Sequence, residues 1–297
     1  MRIGTAEPDS TFITQGQALA AVLPRHGVDG KIEVMTSPHA SIDNANRLET
    51  GEIEFGFMAA NWIGRARRGE APFVAPLGIA MVAPMNAGPL FFIALKTSGL
   101  RTFDDLVGKR VSVGLEASGM TQHAHTMLRA LGRSIDGITP VYLPFVEGAE
   151  ALKCGDVDAQ LQCPIPNKVM SDLDADADLT VLEFAPAQLE TLLATVPFYR
   201  RAPLRKGRLR ALDRDVIQPG VLNVLVCHRS ADARMVEAMA RGIYLGADDL
   251  ATANALFDGL ADLYRPLSSE GAKALEFDGV TLHPGAMSAY RAAGLIP

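Results

Sequence analysis

The sequence is poor in the residues that disulfide-stabilised proteins require. Among 297 residues it has three cysteines, one tryptophan and 6% aromatic residues. An odd number of cysteines excludes a complete disulfide framework, and Cys154, Cys163 and Cys227 form no CxxC pair and no Cys/His ligand set. We expect buried free thiols, with a single Cys154–Cys163 bridge as the alternative that the sequence leaves open.

Long apolar runs are also missing. The longest stretches, Val74–Met85 and Leu90–Leu95, are too short to span a bilayer, and proline and glycine occur in and around them. No secretory leader is visible, because Met1 and Arg2 run directly into Ile3–Thr5, which predicts a first strand and its turn. The chain is therefore either cytosolic or a mature form with an added methionine.

Basic residues are in the minority. Lys and Arg number 28 against 34 Asp and Glu, a net charge of −6, which argues against a nucleic-acid partner. The one basic cluster, within 200–210, is typical of a solvated loop. Charged residues at 21% and hydrophobic residues at 48% exclude wholesale disorder, and the length fits about two domains.

The residues that are present alternate between short apolar runs and helical patterns. Helices are predicted over 16–23 and 41–50, and strands over 31–35 and 53–58. This βαβα rhythm predicts a parallel, doubly wound sheet.

The rhythm restarts after Gly99 and continues to about Phe184. Two strongly apolar strands, Leu90–Leu95 and Val221–Cys227, bracket this inner block. We therefore predict an α/β protein of two doubly wound lobes, with residues 1–96 plus 219–297 in lobe one and 97–218 in lobe two. Two crossings between lobes imply a hinge, with a ligand cleft between the lobes at the carboxyl ends of the strands.

Signatures of catalysis and of metal binding are absent. There is no GxSxG, GxxxxGK[ST] or GxGxxG motif. His123 and His125 lie two apart on a predicted helix and face different directions, and the acidic run at 174–178 lacks the later residues of a calcium loop. We expect no catalytic residue, no metal and no cofactor.

Three hydroxyl-rich turns each follow a predicted strand and open a predicted helix: Ser10–Phe12, Ser37–Asn44 and Glu116–Gln122. Unpaired N–H groups and the helix dipole favour an anion at such ends, whereas each turn alone is equally explained as a helix cap. Asn61 and Trp62 follow a further strand and add an amide and an aromatic ring.

Four ordered segments of the chain form a recognisable set. Three of them are Ser41–Asn44 with Leu48–Glu52, Leu106–Gly114 with Ser118-Gly119, and Ala151–Ala159. The fourth and most specific is the closing run Leu282-His283-Pro284-Gly285-Ala286, followed by Tyr290-Arg291 and Gly294. Together they resemble the TAXI-type solute-binding proteins of TRAP transporters, and the resemblance covers nearly the whole chain.

The chain departs from that family in the loops of the presumed pocket. Ile13 stands where the family has a second aromatic residue, Met120 where it has a hydroxyl, and Asn61 where it has an aspartate. The less polar residues point to a ligand with an apolar portion. The implied ligand-binding residues are Thr11, Phe12, Ser41, Asn44, Asn61, Trp62, Ser118, Gly119, Met120, Thr121, Gln122, Gln162 and Tyr199.

The resemblance implies a type II periplasmic binding protein fold and a periplasmic, monomeric receptor. Such a receptor would capture a small carboxylate-type or amino-acid-like ligand by lobe closure and deliver it to a TRAP membrane permease, without catalysis. The alternative function is a cytosolic enzyme or sensor on the same fold, which the missing leader favours.

Overall fold

A computed structural model describes residues 1–8, 10–116, 118–162 and 165–297. The chain forms two compact units, which we call unit one (1–86 and 222–297) and unit two (87–221). The long strands β4 (Ile79–Pro89) and β11 (Val216–His228) carry the chain across the two boundaries and pair with each other. The sequence placed Leu90–Leu95 in lobe one, but β5 (Phe91–Leu95) lies in unit two because both its neighbouring strands do.

Unit one is an α/β unit built on three parallel strands. β1 (Arg2–Gly4) lies between β2 (Glu33–Met35) and β3 (Phe55–Ala59), and β11 adds to β3 in the antiparallel direction. The helices of unit one are α1 (Thr11–Val22), α2 (Ser41–Glu49), α3 (Ile63–Arg68), α8 (Ala233–Leu245), α9 (Ala247–Ala253), α10 (Leu267–Glu270) and α11 (Pro284–Ala292).

The closing HPGA run, the most specific part of the resemblance, packs the start of α11 against α8 within unit one. His283 caps α11 by accepting a hydrogen bond from the Gly285 N–H at Nδ1, over 3.1 Å. A Cβ at Gly285 would lie 2.2 Å from the carbonyl oxygen of Ala233, so only glycine permits this approach to α8. Tyr290 donates to the Val82 carbonyl at 2.6 Å. The run is therefore a packing motif, away from the strand ends at which ligands are expected.

Unit two holds a five-stranded sheet in the order β7-β6-β8-β5-β9. Its parallel strands are β6 (Arg110–Ser112), β7 (Thr139–Val141) and β8 (Ala159–Gln162), and β5 and β9 (Leu179–Leu182) complete it. The remaining elements are α4 (Gly119–Ala130), α5 (Phe145–Cys154), α6 (Lys168–Asp176), α7 (Pro186–Thr195) and β10 (Tyr199–Leu204). A buried cluster that includes Phe91, Ile93 and Leu152 forms its core.

Cys154 and Cys227 carry free thiols, as expected, but Cys154 is exposed rather than buried. Cys163 lies outside the described residues.

Within the described parts of the chain, no helix has the length and apolar character that crossing a bilayer requires.

Candidate functional site

The carboxyl ends of β1 and β2 in unit one are tied together by hydrogen bonds. Thr5 donates from both its N–H and its hydroxyl to the Met35 carbonyl, each over 2.8 Å. Ser37 donates from its N–H to the Ala6 carbonyl and from its hydroxyl to the Thr5 carbonyl. These hydrogen bonds join the starts of the turns that follow β1 and β2, and the sequences of both turns contain no lysine or arginine.

Two of the predicted binding residues support this edge from within. Asn44 is fully buried and donates to the carbonyls of Thr5 at 2.8 Å and Phe57 at 2.9 Å. The Ser41 hydroxyl accepts a hydrogen bond from the Ala59 N–H at 3.0 Å. Their polar atoms are thus engaged within unit one, and we assign both residues a positioning role.

Phe12 and Trp62, the two aromatic residues predicted to bind ligand in unit one, have different surroundings. Phe12 is buried and stacks on Phe57 with ring centroids 5.2 Å apart, so it belongs to the core of unit one. Trp62 is half-buried, with Phe73 at its edge and the Arg65 guanidinium 5.6 Å from its ring centroid. Thr11 is half-buried at the start of α1.

Unpartnered buried oxygens mark the same edge of unit one. Ser10 Oγ, Asn61 Oδ1 and Gln15 Oε1 are buried and have no hydrogen-bond partner among the residues that the structure describes. Of these residues, only Asn61 was among the predicted binding residues. Gln15 also belongs to a buried amide cluster with Asn86 and Asn223, which the sequence analysis did not find because the three residues are isolated and far apart in the chain.

In unit two, α4 begins directly after the turn that follows β6. Ser118 is its N-cap and accepts a hydrogen bond from the Thr121 N–H at 3.3 Å. Thr121 is buried, and its hydroxyl donates to the carbonyls of Val113 and Leu115 at 3.0 and 2.8 Å, so this residue shapes the turn. No acidic residue lies in the first turn of the helix.

Only some of the N–H groups at this helix end remain for a ligand. The N–H of Ser118 donates to the Leu115 carbonyl at 2.8 Å, and that of Gln122 to the Ser118 carbonyl at 3.1 Å. The N–H groups of Gly119 and Met120 find no acceptor in the part of the chain that the structure describes. The predicted cradle of Ser118–Gln122 therefore narrows to these two donors, since a helix leaves its first N–H groups unpaired.

Gln162, at the end of β8, is the second polar feature of this edge. It is fully buried and donates to Gln160 Oε1 at 2.8 Å, while its own Oε1 has no partner within 1–8, 10–116, 118–162 and 165–297. Gln160 in turn donates to the Phe145 carbonyl at the start of α5. The pair thus links the end of β8 to the start of α5.

Tyr199 is placed differently from the prediction. Its ring is 1% exposed, and its hydroxyl lies 3.0 Å from Nδ1 of His123, which is on α4. Burial lowers the pKa of His123 to about 4 and raises the pKa of Tyr199. At neutral pH the imidazole is therefore uncharged, and the pair is a neutral hydrogen bond inside unit two.

Exposed apolar side chains border the same edge of unit two. Leu115 and Tyr142 follow the neighbouring strands β6 and β7, and Val146 lies in the first turn of α5; they are 54%, 39% and 57% exposed. The edge therefore offers apolar surface beside the two helix donors.

A cavity of about 670 Å³ in unit two adjoins Lys96, Arg101 and Thr180, at the end of β5 and the start of β9, which is the opposite edge of the sheet. Among the described residues, no three His, Cys, Asp or Glu side chains are placed to hold a metal ion together.

Comparison with known proteins assigns this chain to a family. The sequence profile of the NMT1-like family matches residues 3–294. The chain belongs to the NMT1-like family.

Solved structures agree on the fold of this NMT1-like protein. The periplasmic aliphatic sulphonate binding protein SsuA from Escherichia coli is 16% identical, with a TM-score of 0.54 over 100% of this chain and 93% of SsuA. A TctC solute binding protein from Polaromonas is 13% identical, with a TM-score of 0.55 over 99% and 94% of the two chains. These similarities confirm the predicted two-lobe α/β fold of periplasmic binding proteins.

Proposed function

We propose that this chain is an extracytoplasmic solute-binding receptor that captures a small organic anion by closure of its two lobes, without catalysis. The observation that carries the proposal is the start of α4, where the N–H groups of Gly119 and Met120 have no acceptor among the described residues and the first helical turn has no acidic residue. An anion at a helix N-terminus gains about 0.3–1 kcal/mol, and more where water is excluded. The family and the fold neighbours support a binding function.

A carboxylate-type ligand with an apolar portion fits unit two best. The helix donors suit a carboxylate or sulfonate group, since both present oxygen acceptors to backbone N–H groups. The exposed side chains of Leu115, Tyr142 and Val146 then border the ligand's hydrocarbon part. Burying an apolar group adds roughly 25 cal/mol per Å² of surface removed from water.

The proposed partner is a TRAP-type permease, as in TAXI-type transport systems, and the proposed compartment is the periplasm. The ordered sequence segments and the HPGA run support this assignment. A periplasmic location predicts an apolar leader encoded upstream of Arg2. Ligand uptake by membrane vesicles that contain a TRAP permease, and that depends on the added chain, would support the partner.

A thermal-shift screen against carboxylates, sulfonates and amino acids tests the binding function. A ligand at 100 times its Kd should stabilise the folded chain by about 2.7 kcal/mol. Small-angle scattering should then show a smaller radius of gyration with ligand than without it. Chemical turnover of a bound compound would instead favour an enzyme on the same fold.

A further inference from the structure

β9 is the last strand of the sheet in unit two, and β5 is its one neighbouring strand among the described residues. The Lys96 N–H donates to the Asp178 carbonyl at 2.8 Å, which fixes the residues of β9 that face β5. In an antiparallel pair, alternate residues turn their N–H and C=O groups toward the partner strand. The backbone of Thr180 therefore faces β5, whereas the backbone of Leu179 and Val181 faces away from the sheet.

The fold covers this outer side of β9 at both ends. At one end, the Arg210 guanidinium donates to the Ala177 carbonyl at 2.8 Å. At the other end, the Glu183 N–H donates to the Arg101 carbonyl at 3.0 Å, and the Glu183 carbonyl accepts from the Phe103 N–H at 2.9 Å. The stretch left open between them is therefore short and has defined limits.

Leu179 and Val181 occupy the open stretch. Their N–H and C=O groups have no hydrogen-bond partner in the parts of the chain that the structure describes. Both residues are buried and belong to the core cluster of unit two. Backbone polar groups at such positions are nearly always paired. Both residues also line the cavity of about 670 Å³, so β9 offers two donors and two acceptors to a molecule in that cavity.

The walls of the cavity carry an excess of positive charge. Lys96 and Arg101 are exposed and form no ion pair with any described residue. The lining carboxylates of Asp104 and Glu183, by contrast, each pair with an arginine, which leaves Asp213 as the one lining carboxylate without an ion pair in the described ranges. Unpaired positive charge beside an open strand repels basic segments and attracts acidic ones.

We propose that the outer side of β9 binds an acidic segment of another protein, which adds to the sheet as a short extended strand. The backbone of the segment pairs with Leu179 and Val181, and its carboxylates lie near Lys96 and Arg101. In strand addition, main-chain hydrogen bonds give affinity and side chains give specificity. The inference does not depend on the proposed ligand or on the start of α4, and it goes beyond the proposed function.

Synthetic peptides test the charge preference. The probe is acetyl-Thr-Glu-Val-Glu-Val-Glu-Thr-amide, compared with the same peptide carrying Gln or Lys in place of each Glu, in calorimetric titrations of the full chain. We expect the Glu peptide to bind at least tenfold more tightly than the Gln peptide, and the Lys peptide not to bind. Absence of binding by the Glu peptide at about 1 mM, or equal binding by the Gln peptide, would overturn the proposal.

N-methylation separates strand addition from attraction between charges. One version of the Glu peptide is N-methylated at both valines and another at the first two glutamates, and these two sets of N–H groups face opposite sides of an extended strand. Because only one side pairs with β9, we expect one version to bind at least tenfold more weakly than the parent and the other within about threefold. Equal Kd values for the two versions would show that charge alone binds the peptide, against the proposal.

Substitution of Arg101 assigns the binding to this cavity. Arg101→Gln should weaken binding of the Glu peptide at least fivefold. The matched control is Arg25, which is exposed in unit one and forms no ion pair with a described residue, and Arg25→Gln should stay within about twofold of wild type. Equal losses in the two variants would contradict the assigned place. Dimerisation of the chain that Arg101→Gln abolishes, without peptide binding, would make a second copy the occupant and overturn the proposal.

Discussion

Asn223 donates from its side-chain amide to Oδ1 of Asn86 over 3.2 Å, and each residue lies at a point where the chain leaves or re-enters unit one. Asn86 is the last residue of the first segment of unit one, and Asn223 is the second residue of the returning segment. The bond therefore links the two strands that carry the chain between the units, on the side of unit one.

Removing this bond should weaken unit one measurably. We expect Asn223→Ala to lower the free energy of unfolding by about 1–2 kcal/mol, because a buried hydrogen bond is lost and the Asn86 oxygen keeps only the longer bond from Gln15. Urea unfolding monitored by circular dichroism measures the change. The exposed Asn46, on α2, is the control, and Asn46→Ala should stay within about 0.5 kcal/mol of wild type. Equal effects would contradict the assigned role.

Substituting Gly148, on α5, with alanine should change the stability in the direction opposite to that usual for helical glycines. A Cβ at Gly148 would lie 2.4 Å from Ser112 Oγ and 2.7 Å from Gln160 Nε2, because α5 packs directly on the sheet there. Helical Gly→Ala substitutions usually stabilise by about 0.5–1 kcal/mol. Here we expect Gly148→Ala to destabilise by about 1–3 kcal/mol through overpacking, as measured by thermal unfolding. A rise in Tm would show that this contact is looser than described.

The buried imidazole of His123 makes stability depend on pH. Burial lowers its folded-state pKa from 6.5 to about 4, so between these values the unfolded chain binds more protons than the folded chain. The contribution is complete above pH 6.5 and is lost as the pH falls toward 4, with an upper limit of about 3 kcal/mol. We expect His123→Gln to flatten the fall in unfolding free energy over this window. An unchanged slope in His123→Gln would contradict the buried, uncharged imidazole described here.

Regular elements of the parallel sheets were predictable from hydrophobic patterning, and the predicted helix at 41–50 matches α2 to within one residue. The edge strand β10 was not predictable in this way. β10 includes Pro203 and two consecutive arginines, and its pairing with β11 alone explains how it tolerates them. Residues 251–264 have a helical sequence pattern but do not form one helix: α9 ends at Ala253, and Gly259 has a φ of 81°, which a helix does not accept.

Half of the candidate site follows from local sequence and half does not. The start of α4 was predictable because a strand, a Ser-Gly turn and a helix follow one another along the chain. Which N–H groups stay unpaired was not predictable, since the bond from Ser118 to Leu115 depends on the shape of the turn. The cluster of Gln15, Asn86 and Asn223 depends on two strands and a helix that meet only in the folded unit.

Gly119 allows the most direct test of the central claim, that the first N–H groups of α4 bind the ligand's anion. It is the first residue of the helix, where proline is well tolerated, and Ser118 before it has φ −76° and ψ 160°, a conformation compatible with a following proline. A Cβ at this position meets no atom within 4 Å. Gly119→Pro therefore removes one N–H donor from an intact helix, whereas Gly119→Ala adds the Cβ and keeps the donor.

The deciding measurement is the calorimetric Kd of the tightest-binding acid from the screen for wild type, Gly119→Ala and Gly119→Pro. We expect Gly119→Pro to weaken binding at least tenfold, about 1.4 kcal/mol, with a Tm close to wild type. Gly119→Ala should bind within about threefold of wild type, well under the 1.4 kcal/mol that a tenfold change represents. A Kd for a folded Gly119→Pro chain equal to that of Gly119→Ala would contradict the claim that α4 binds the anion.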